Sequence, residues 1–267
     1  MIFSLLLSTF VTVFIAELGD KTQLATLTIS GTSNKPIAVF LGSASALVIA
    51  SLIGALAGGS ISNLVPEIVP NQFDPKTCKE LGTRFISEKG IKGIKFSLLI
   101  LGGDGIGYFY SKSEWLDLIN NFSSFCKLRQ TNPLFITSTR TPIEVEELIK
   151  EKFDVSMSVL YHSEKARGKF DHLLYVADNI FVTEDSSTML SEAVSSGKKV
   201  ISIFPQNINA PEKYLQIITK YQGLEFIERC SIENIDKFTF PRETNIQDKV
   251  DSSRKNFQRS LVERLKD

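Results

Sequence analysis

Cysteine and histidine are scarce: 267 residues include three cysteines and two histidines. Cys78, Cys126 and Cys230 are dispersed, with no C-x-x-C pair, which argues against a disulfide framework or zinc site and for reduced thiols. His162 and His172 lack the acid or cysteine spacing of a metal site and read as surface or capping residues. Net charge is absent too, because Lys+Arg and Asp+Glu stand at 30 each. That balance argues neither for nor against nucleic acid, and no nucleic-acid motif or nucleophile–His–acid triad stands out, so no nucleic-acid partner is expected. The most informative absence is local. Before Glu67 the only charged residues are Glu17, Asp20, Lys21 and Lys35, whereas the remainder is densely charged.

The chain therefore reads as two parts. Ile2 to about Ile29 and Ile37 to about Gly59 are each long and apolar enough for a membrane core of about 30 Å. They are separated by the polar turn Gly31-Thr-Ser-Asn-Lys-Pro36. A signal peptide competes for the first stretch, but there is no basic leader and a charged trio follows it. The second stretch carries Gly42, Ala46, Ala50, Gly54 and Gly58 every four positions, a stripe that lets helices pack closely in lipid. The expected arrangement is a two-span transmembrane hairpin over 1–66, a proline-marked linker over 67–92, and a soluble α/β domain over 93–267. The hairpin puts both chain ends on one side. The basic excess from Lys76 to Lys95 makes that side cytoplasmic, so a multi-pass membrane location is expected.

Charged side chains within a span are costly and usually functional. Glu17, Asp20 and Lys21 follow i, i+3, i+4 and share one helix face, with Thr22 adding a neutral oxygen. Hard oxygen donors suit Ca²⁺, Mn²⁺ or Mg²⁺, and carboxylates that also take protons suit cation/proton exchange. The plainer alternative is a helix ending at Leu18 and a surface turn after it. Glu17-Leu-Gly-Asp-Lys-Thr22, continuing to about Pro66, resembles the E-x-G-D-K-T signature of the Mn²⁺/Ca²⁺:proton exchangers of Golgi, chloroplast and bacterial membranes. That resemblance implies a cation site at Glu17 and Asp20, tuned by Lys21 and Thr22, with Mn²⁺ or Ca²⁺ as the transported ion. Family members usually have six spans in two motif-bearing halves. One motif and two spans imply several copies or a companion half-transporter.

Past Pro75 the periodicity alternates between strand and helix. Phe96–Leu101, Leu134–Ser138, Val155–Tyr161 and Lys199–Phe204 read as strands, and Leu173 to Ala177 with Ile180 to Thr183 gives a turn-and-strand pair. Glu114–Arg129, Asp185–Ser196 and Ala210–Tyr221 read as helices, another opens at Thr141 with Thr as N-cap and Pro142 at the first position, and a charged helix closes the chain from Asn245. That alternation predicts a Rossmann-like parallel sheet with helices on both faces. Lys198-Lys199 and the Lys89–Lys95 cluster read as solvated, the latter also placed to meet lipid headgroups.

Ligands of such sheets bind at the carboxyl ends of strands. Three loops fall there. Gly103, Asp104 and Gly105 lie in a glycine-rich turn suited to phosphate. Thr137, Ser138, Arg140 and Thr141 offer hydroxyls and a guanidinium. Glu184, Asp185, Ser186, Met189 and Glu192 start a helix. Ile100-Leu-Gly-Gly-Asp-Gly105, Ile136-Thr-Ser-Thr-Arg-Thr-Pro142 and Val182-Thr-Glu-Asp-Ser-Ser-Thr-Met-Leu-Ser-Glu-Ala193 are similar to the mitochondrial-fission ELM family. That family looks like nucleotide-sugar-dependent glycosyltransferases of the two-Rossmann (GT-B) type. The resemblance implies a nucleotide-sugar ligand, with Glu192 on the ribose and Asp185, Ser186 and Met189 lining the pocket; Glu184 and Glu192 stand as an E-x7-E pair. It covers only the nucleotide-binding half. Two functions are thus carried forward: a cation:proton exchanger fused to a nucleotide-sugar-binding domain, and a membrane-anchored or degenerate glycosyltransferase. The two resemblances meet near Pro66–Asp74, as a gene fusion or a joined fragment of two genes would produce.

Overall fold

The chain divides into two units, Met1–Val65 and Pro66–Asp267. The computed structural model describes residues 28, 35–61, 67–69, 71, 73–162, 171–239 and 245–264. Glu17, Asp20, Lys21 and Thr22, and nearly all of the expected first span, lie outside the described residues.

In the first unit, the expected second span forms helix α1, Pro36–Ile61, 26 residues with no charged side chain. Ser43 Oγ donates to Val39 O at 2.9 Å and Ser45 Oγ to Leu41 O at 2.6 Å, so these hydroxyls bond back within the helix. Ile37, Phe40, Leu41, Val48, Ile49 and Leu52 are all more than half exposed, so apolar groups point outward over about half of the helix circumference. Nothing comes within 4 Å of where a Cβ on Gly42 would sit, so the small-residue stripe has no described partner there. Among the described residues no helix is long and apolar enough to cross a membrane.

The second unit is built on the strands β1 (Phe96–Leu101), β3 (Asn132–Thr137), β4 (Asn179–Thr183), β5 (Val200–Phe204) and β7 (Ile227–Ser231). They form one parallel sheet in the order β3-β1-β4-β5-β7. Every residue of β1 is buried, as a strand covered on both faces requires. Between these strands run α3 (Lys112–Arg129), α4 (Ile143–Lys152), α5 (Asp171–Val176), α6 (Ser187–Ser195) and α7 (Glu212–Gly223). The short strands β2 (Tyr108–Phe109) and β6 (Asn207–Ile208) pair as an antiparallel ribbon. The chain closes with α8 (Ile246–Arg264), which buries Ile246, Val250 and Ser253.

The heptad-like spacing of α3 works as its sequence suggests. Ser111 caps it in a capping box with Glu114, and Trp115, Leu118, Ile119, Phe122 and Phe125 are buried. Phe122 and Phe125 meet Phe181 of β4 edge-on, at 5.4 and 4.8 Å, and Phe122 meets Phe135 of β3 at 5.7 Å. Burying each such ring contributes roughly 1.5–3 kcal/mol before edge-to-face terms.

Five expectations are corrected. The region 67–92 is not a bare linker: α2, Pro75–Lys89, occupies most of it, because Asp74 accepts from the N–H groups of Lys76 and Thr77 and Pro75 opens the first turn. Its Gly82 lies against Tyr175 so closely that a Cβ would come within 2.2 Å of that ring. Val155–Tyr161 is not a strand, since only Val159 bridges to Ile136. Leu173 to Val176 is helical. Thr141 does not cap α4; Pro142 holds that position without a side-chain bond, and Thr141 Oγ1 donates instead toward Leu101 O and Gly102 O. Lys198 is no solvated lysine, because Nζ donates to Tyr175 O and Ala177 O at the end of α5.

Burial pushes the Lys198 ammonium down to about 8, against the upward pull of Asp178 and Cys78. Between that value and the ~10.4 of a free lysine, the unfolded chain holds a proton that the folded chain has released, so this site adds stability as pH rises. The buried thiols oppose it, because burial pushes Cys78, Cys126 and Cys230 up to about 11. Comparison with Lys198→Met isolates the lysine. The unfolding free energy of the wild-type chain minus that of the variant should grow by up to ~1.4 kcal/mol per pH unit above pH ~8 in denaturant titrations, and a pH-independent difference would contradict it.

Candidate functional site

Counting only the main sheet, the order is second-first-third-fourth-fifth, one of the two common doubly wound arrangements, and its direction reverses between β1 and β4. At that point the carboxyl ends of β1 and β4 bring together Gly102–Gly105 and Thr183–Asp185. The loop after β3 adds Ser138, Arg140 and Thr141. Thus the three loops singled out in the sequence converge on one place.

Their detailed roles differ from a phosphate cradle. Gly102 N–H donates to Thr183 Oγ1 at 2.8 Å, and Gly103 N–H to Asp185 Oδ2 at 3.0 Å. Gly105 N–H donates to Tyr108 O at 3.2 Å, closing a two-residue turn in which Ile106 and Gly107 both have positive φ, 48° and 80°. The missing side chains make room for protein groups. A Cβ on Gly102 would fall 1.9 Å from Asp185 Oδ2, one on Gly103 would fall 2.1 Å from Arg140 O, and one on Gly105 would fall 1.8 Å from Arg140 Nη1. The glycines are therefore required by the approach of Arg140 and Asp185. Asp104 accepts from Tyr110 N–H at 2.9 Å and shapes the same loop.

Two adjacent acids directly follow β4, and both are fully buried. Asp185 Oδ2 receives Arg140 Nη2 at 2.7 Å, while Arg140 Nη1 reaches Asp185 O at 3.2 Å. Burial pushes the Asp185 carboxyl up; the Thr183 hydroxyl, Arg140 and the Gly103 N–H pull it back. Glu184 is held by Arg229 in a two-pronged pair, Nε to Oε1 at 2.6 Å and Nη2 to Oε2 at 2.8 Å. It also accepts from Ser202 Oγ at 2.8 Å and Tyr108 OH at 3.0 Å. Tyr214 OH donates to Glu184 O. Burial, then the Glu184 charge, raises Tyr108 well above the usual phenol value.

Thr137 and Ser138 serve the scaffold. Thr137 Oγ1 donates to buried Glu146, which also receives the His162 N–H at 3.1 Å, and Ser138 Oγ donates to Gly102 O at 3.1 Å. Ser186 caps α6 by accepting from Met189 N–H at 3.4 Å. Glu192 stands apart on α6, half-buried, its carboxyl raised by burial and then by Asp171. It takes no part in the bonds that join Glu184 and Asp185. Arg229, Tyr108, Tyr110, Ser202 and Tyr214 escaped the sequence reading. Tyr108 and Tyr110 directly follow the glycine turn, which was the available signal; Arg229 sits in the unrecognised β7. Among the described residues no group of three or more His, Cys, Asp or Glu could hold a metal ion.

Residues 60–228 match the model described as mitochondrial fission ELM1. The chain belongs to the mitochondrial fission ELM1 family. Residues 5–72 match a second model, divalent cation/proton antiporter GDT1, so this ELM1-family chain carries an antiporter-like segment ahead of its sheet domain. An uncharacterized protein of Rickettsia prowazekii (strain Madrid E), RP120, is 31% identical over 122 residues, covering 43% of this chain and 33% of that protein. A glycosyl transferase family 9 structure from Veillonella parvula has a TM-score of 0.36 at 9% identity, covering 72% of this chain and 52% of that one. A UDP-forming α,α-trehalose-phosphate synthase from Burkholderia vietnamiensis has a TM-score of 0.39 at 9% identity, covering 73% and 48%. The chain spans a third of the curated relative and about half of each solved structure.

Breaking the two-pronged pair leaves the Glu184 carboxylate buried without its counter-charge. Arg229→Leu should lower the unfolding free energy by about 3–5 kcal/mol. Arg229→Lys should recover only part of this, since an ammonium lacks the planar fork. Denaturant midpoints measure both, and a loss below ~1 kcal/mol for the leucine variant would refute the pairing.

Proposed function

We propose that this ELM1-family chain is a membrane-held nucleotide-sugar-binding protein whose ligand sits over the β1/β4 switch point. The observation that carries the reading is the sheet order itself, which puts Arg140 and the start of α6 beside the reversal where doubly wound sheets take ligands. Arg140 is 35% exposed although one edge is committed to Asp185, and a guanidinium has five N–H donors, so part of its fork is open to a diphosphate. The start of α6 adds the favourable end of a helix dipole. On this reading Gly103, Asp104 and Gly105 shape the floor, Ser186 and Met189 line one wall, and Glu192 meets the ribose. Glycosyl transfer, in full or degenerate form, is the chemistry the ligand class would serve.

Membrane residence is supported by the antiporter match over 5–72 and by the outward-facing apolar side chains of α1. With the sheet domain on the cytoplasmic side, it would share a compartment with nucleotide sugars, and its buried thiols would stay reduced. Full-length chain in lipid should bind a uridine or guanosine diphosphate sugar saturably by calorimetry. Gly105→Val, which drives a side chain into Arg140, and Glu192→Ala should each weaken binding about tenfold or more. Absence of heat with every such sugar would overturn the reading.

A second reading is favoured by the antiporter match alone. Glu17 and Asp20 would bind Mn²⁺ or Ca²⁺ and exchange it against protons, with Lys21 and Thr22 tuning the site, in a homo-oligomer or with a companion half. Reconstituted vesicles should then show proton-coupled ion uptake that Glu17→Gln abolishes. Uptake unchanged in that variant would sink the assignment.

A further inference from the structure

A basic surface outside the switch point is the solvent side of α2 and the turn that follows it. Between Asp74 and Lys95 there are six basic side chains against three acidic ones. Cys78 and Gly82 are buried on the inner side of α2, Gly82 against Tyr175, whereas Lys76, Lys79, Arg84, Lys89, Lys92 and Lys95 are all exposed. Lys76, Lys79, Thr83, Arg84 and Ser87 share one stretch of outer surface, at the spacing of a single helix face. Of the acids, Glu88 pairs with Arg84 at 3.3 Å and Asp74 is occupied in capping α2, which leaves Glu80 as the acid within the basic face. The turn then reads Lys89-Gly-Ile-Lys-Gly-Ile-Lys95. Gly90 and Gly93 take positive φ there, and Ile94, which lies between Lys92 and Lys95 in the chain, is 46% exposed.

We propose that this face is a docking surface for an anionic lipid bilayer. Exposed lysines next to an exposed apolar residue in the chain suit a headgroup layer, where charge holds the surface and an aliphatic group can enter the interface. Chain continuity points the same way. Ile68 is buried in the second unit and Val69 N–H donates to Tyr221 OH, so six residues, 62–67, separate α1 from the packed Ile68, and lipid that holds α1 is a short tether from that unit. The assignment uses the membrane reading of the first unit and is independent of the nucleotide reading.

The test is lysine acetylation of the full-length chain in bicelles, read residue by residue by mass spectrometry. Bicelles of phosphatidylcholine alone are compared with bicelles in which a third of that lipid is replaced by phosphatidylserine. Lys79, Lys89 and Lys92 should react at least about fivefold more slowly with phosphatidylserine present, and the protection should disappear at high salt. Lys213, exposed on α7, should be unchanged. The variant Lys89→Glu/Lys92→Glu should lose protection at Lys79 while retaining its denaturant midpoint. Equal labelling in both bicelles, with the chain lipid-bound in both, overturns the proposal while leaving membrane residence intact. Failure to associate with either bicelle overturns both. Protection by soluble polyglutamate but not by phosphatidylserine would reassign the face to an acidic protein and also overturn it.

Discussion

Two neighbouring carboxylates at the end of the central strand set the terms for the rest of the sheet domain. Glu184 and Asp185 are fully buried, and each needs a counter-charge in a medium where an uncompensated ion is several kcal/mol out of balance. The counter-charges come from opposite sides. Arg140 follows edge strand β3 and crosses the end of β1 to reach Asp185; Arg229 lies on the other edge strand, β7, and crosses β5 to reach Glu184. Both edges are thereby bonded to the centre across the carboxyl rim. Ser202 on β5 and the Tyr108 hydroxyl fill further acceptor positions on the Glu184 carboxylate, and the Tyr214 hydroxyl takes its main-chain carbonyl.

That requirement explains features that look at first like ligand-binding signatures. The run Gly102-Gly-Asp-Gly105 suggests backbone exposed for a phosphate, yet three of its glycines are where Arg140 and Asp185 leave no space for a Cβ. Three of its N–H groups are used within the protein. A glycine run after a buried strand signals that something approaches the backbone closely, without saying whether a ligand or a side chain does. Here protein groups do: the Asp185 carboxylate at Gly102, the Arg140 main chain at Gly103 and the Arg140 guanidinium at Gly105.

Much of the sheet was legible because its physics is local. β1, β4 and β5 are short apolar runs bounded by glycine or polar residues, and α3 advertises its buried face through five apolar side chains at helical spacing. The misses arise where a distant partner overrules local preference. β7 reads Ile-Glu-Arg-Cys-Ser, too charged for a core strand, and is held by pairing to β5 and by Arg229 reaching Glu184. Val155–Tyr161 has strand composition but finds only one bridging partner, at Ile136. Thr141 has the right neighbours for a helix cap, but Leu101 and Gly102 carbonyls claim its hydroxyl. Lys198 looked solvated beside Lys199, yet its ammonium closes the exposed carbonyl end of α5. The convergence of the three loops was readable from strand–helix alternation; their hydrogen-bond assignments were not, since these depend on strand order.

The same charge arrangement constrains what the switch point can accept. Asp185 and Glu184 are each matched by one guanidinium, so the rim presents neither a bare acid pair that would repel a diphosphate nor an unmatched cation that would bind any anion. On the proposed nucleotide-sugar reading, selectivity would come from directed donors. Arg140 is fixed in orientation by its two contacts to Asp185, and a guanidinium held on one edge offers its others in a defined plane. The ribbon of β2 and β6 bounds this region from the side, tied down where Tyr108 meets Glu184 and capped by a turn with Ile106 at positive φ, a position β-branched residues seldom adopt. A β-branched residue kept in that conformation needs surroundings that over-determine it. The Gly105–Tyr108 bonds and the contact of Gly107 with Asn209 supply them. The buried ion pairs thus do more than hold the sheet together: they orient the partly exposed donor at its rim and help anchor the ribbon beside it.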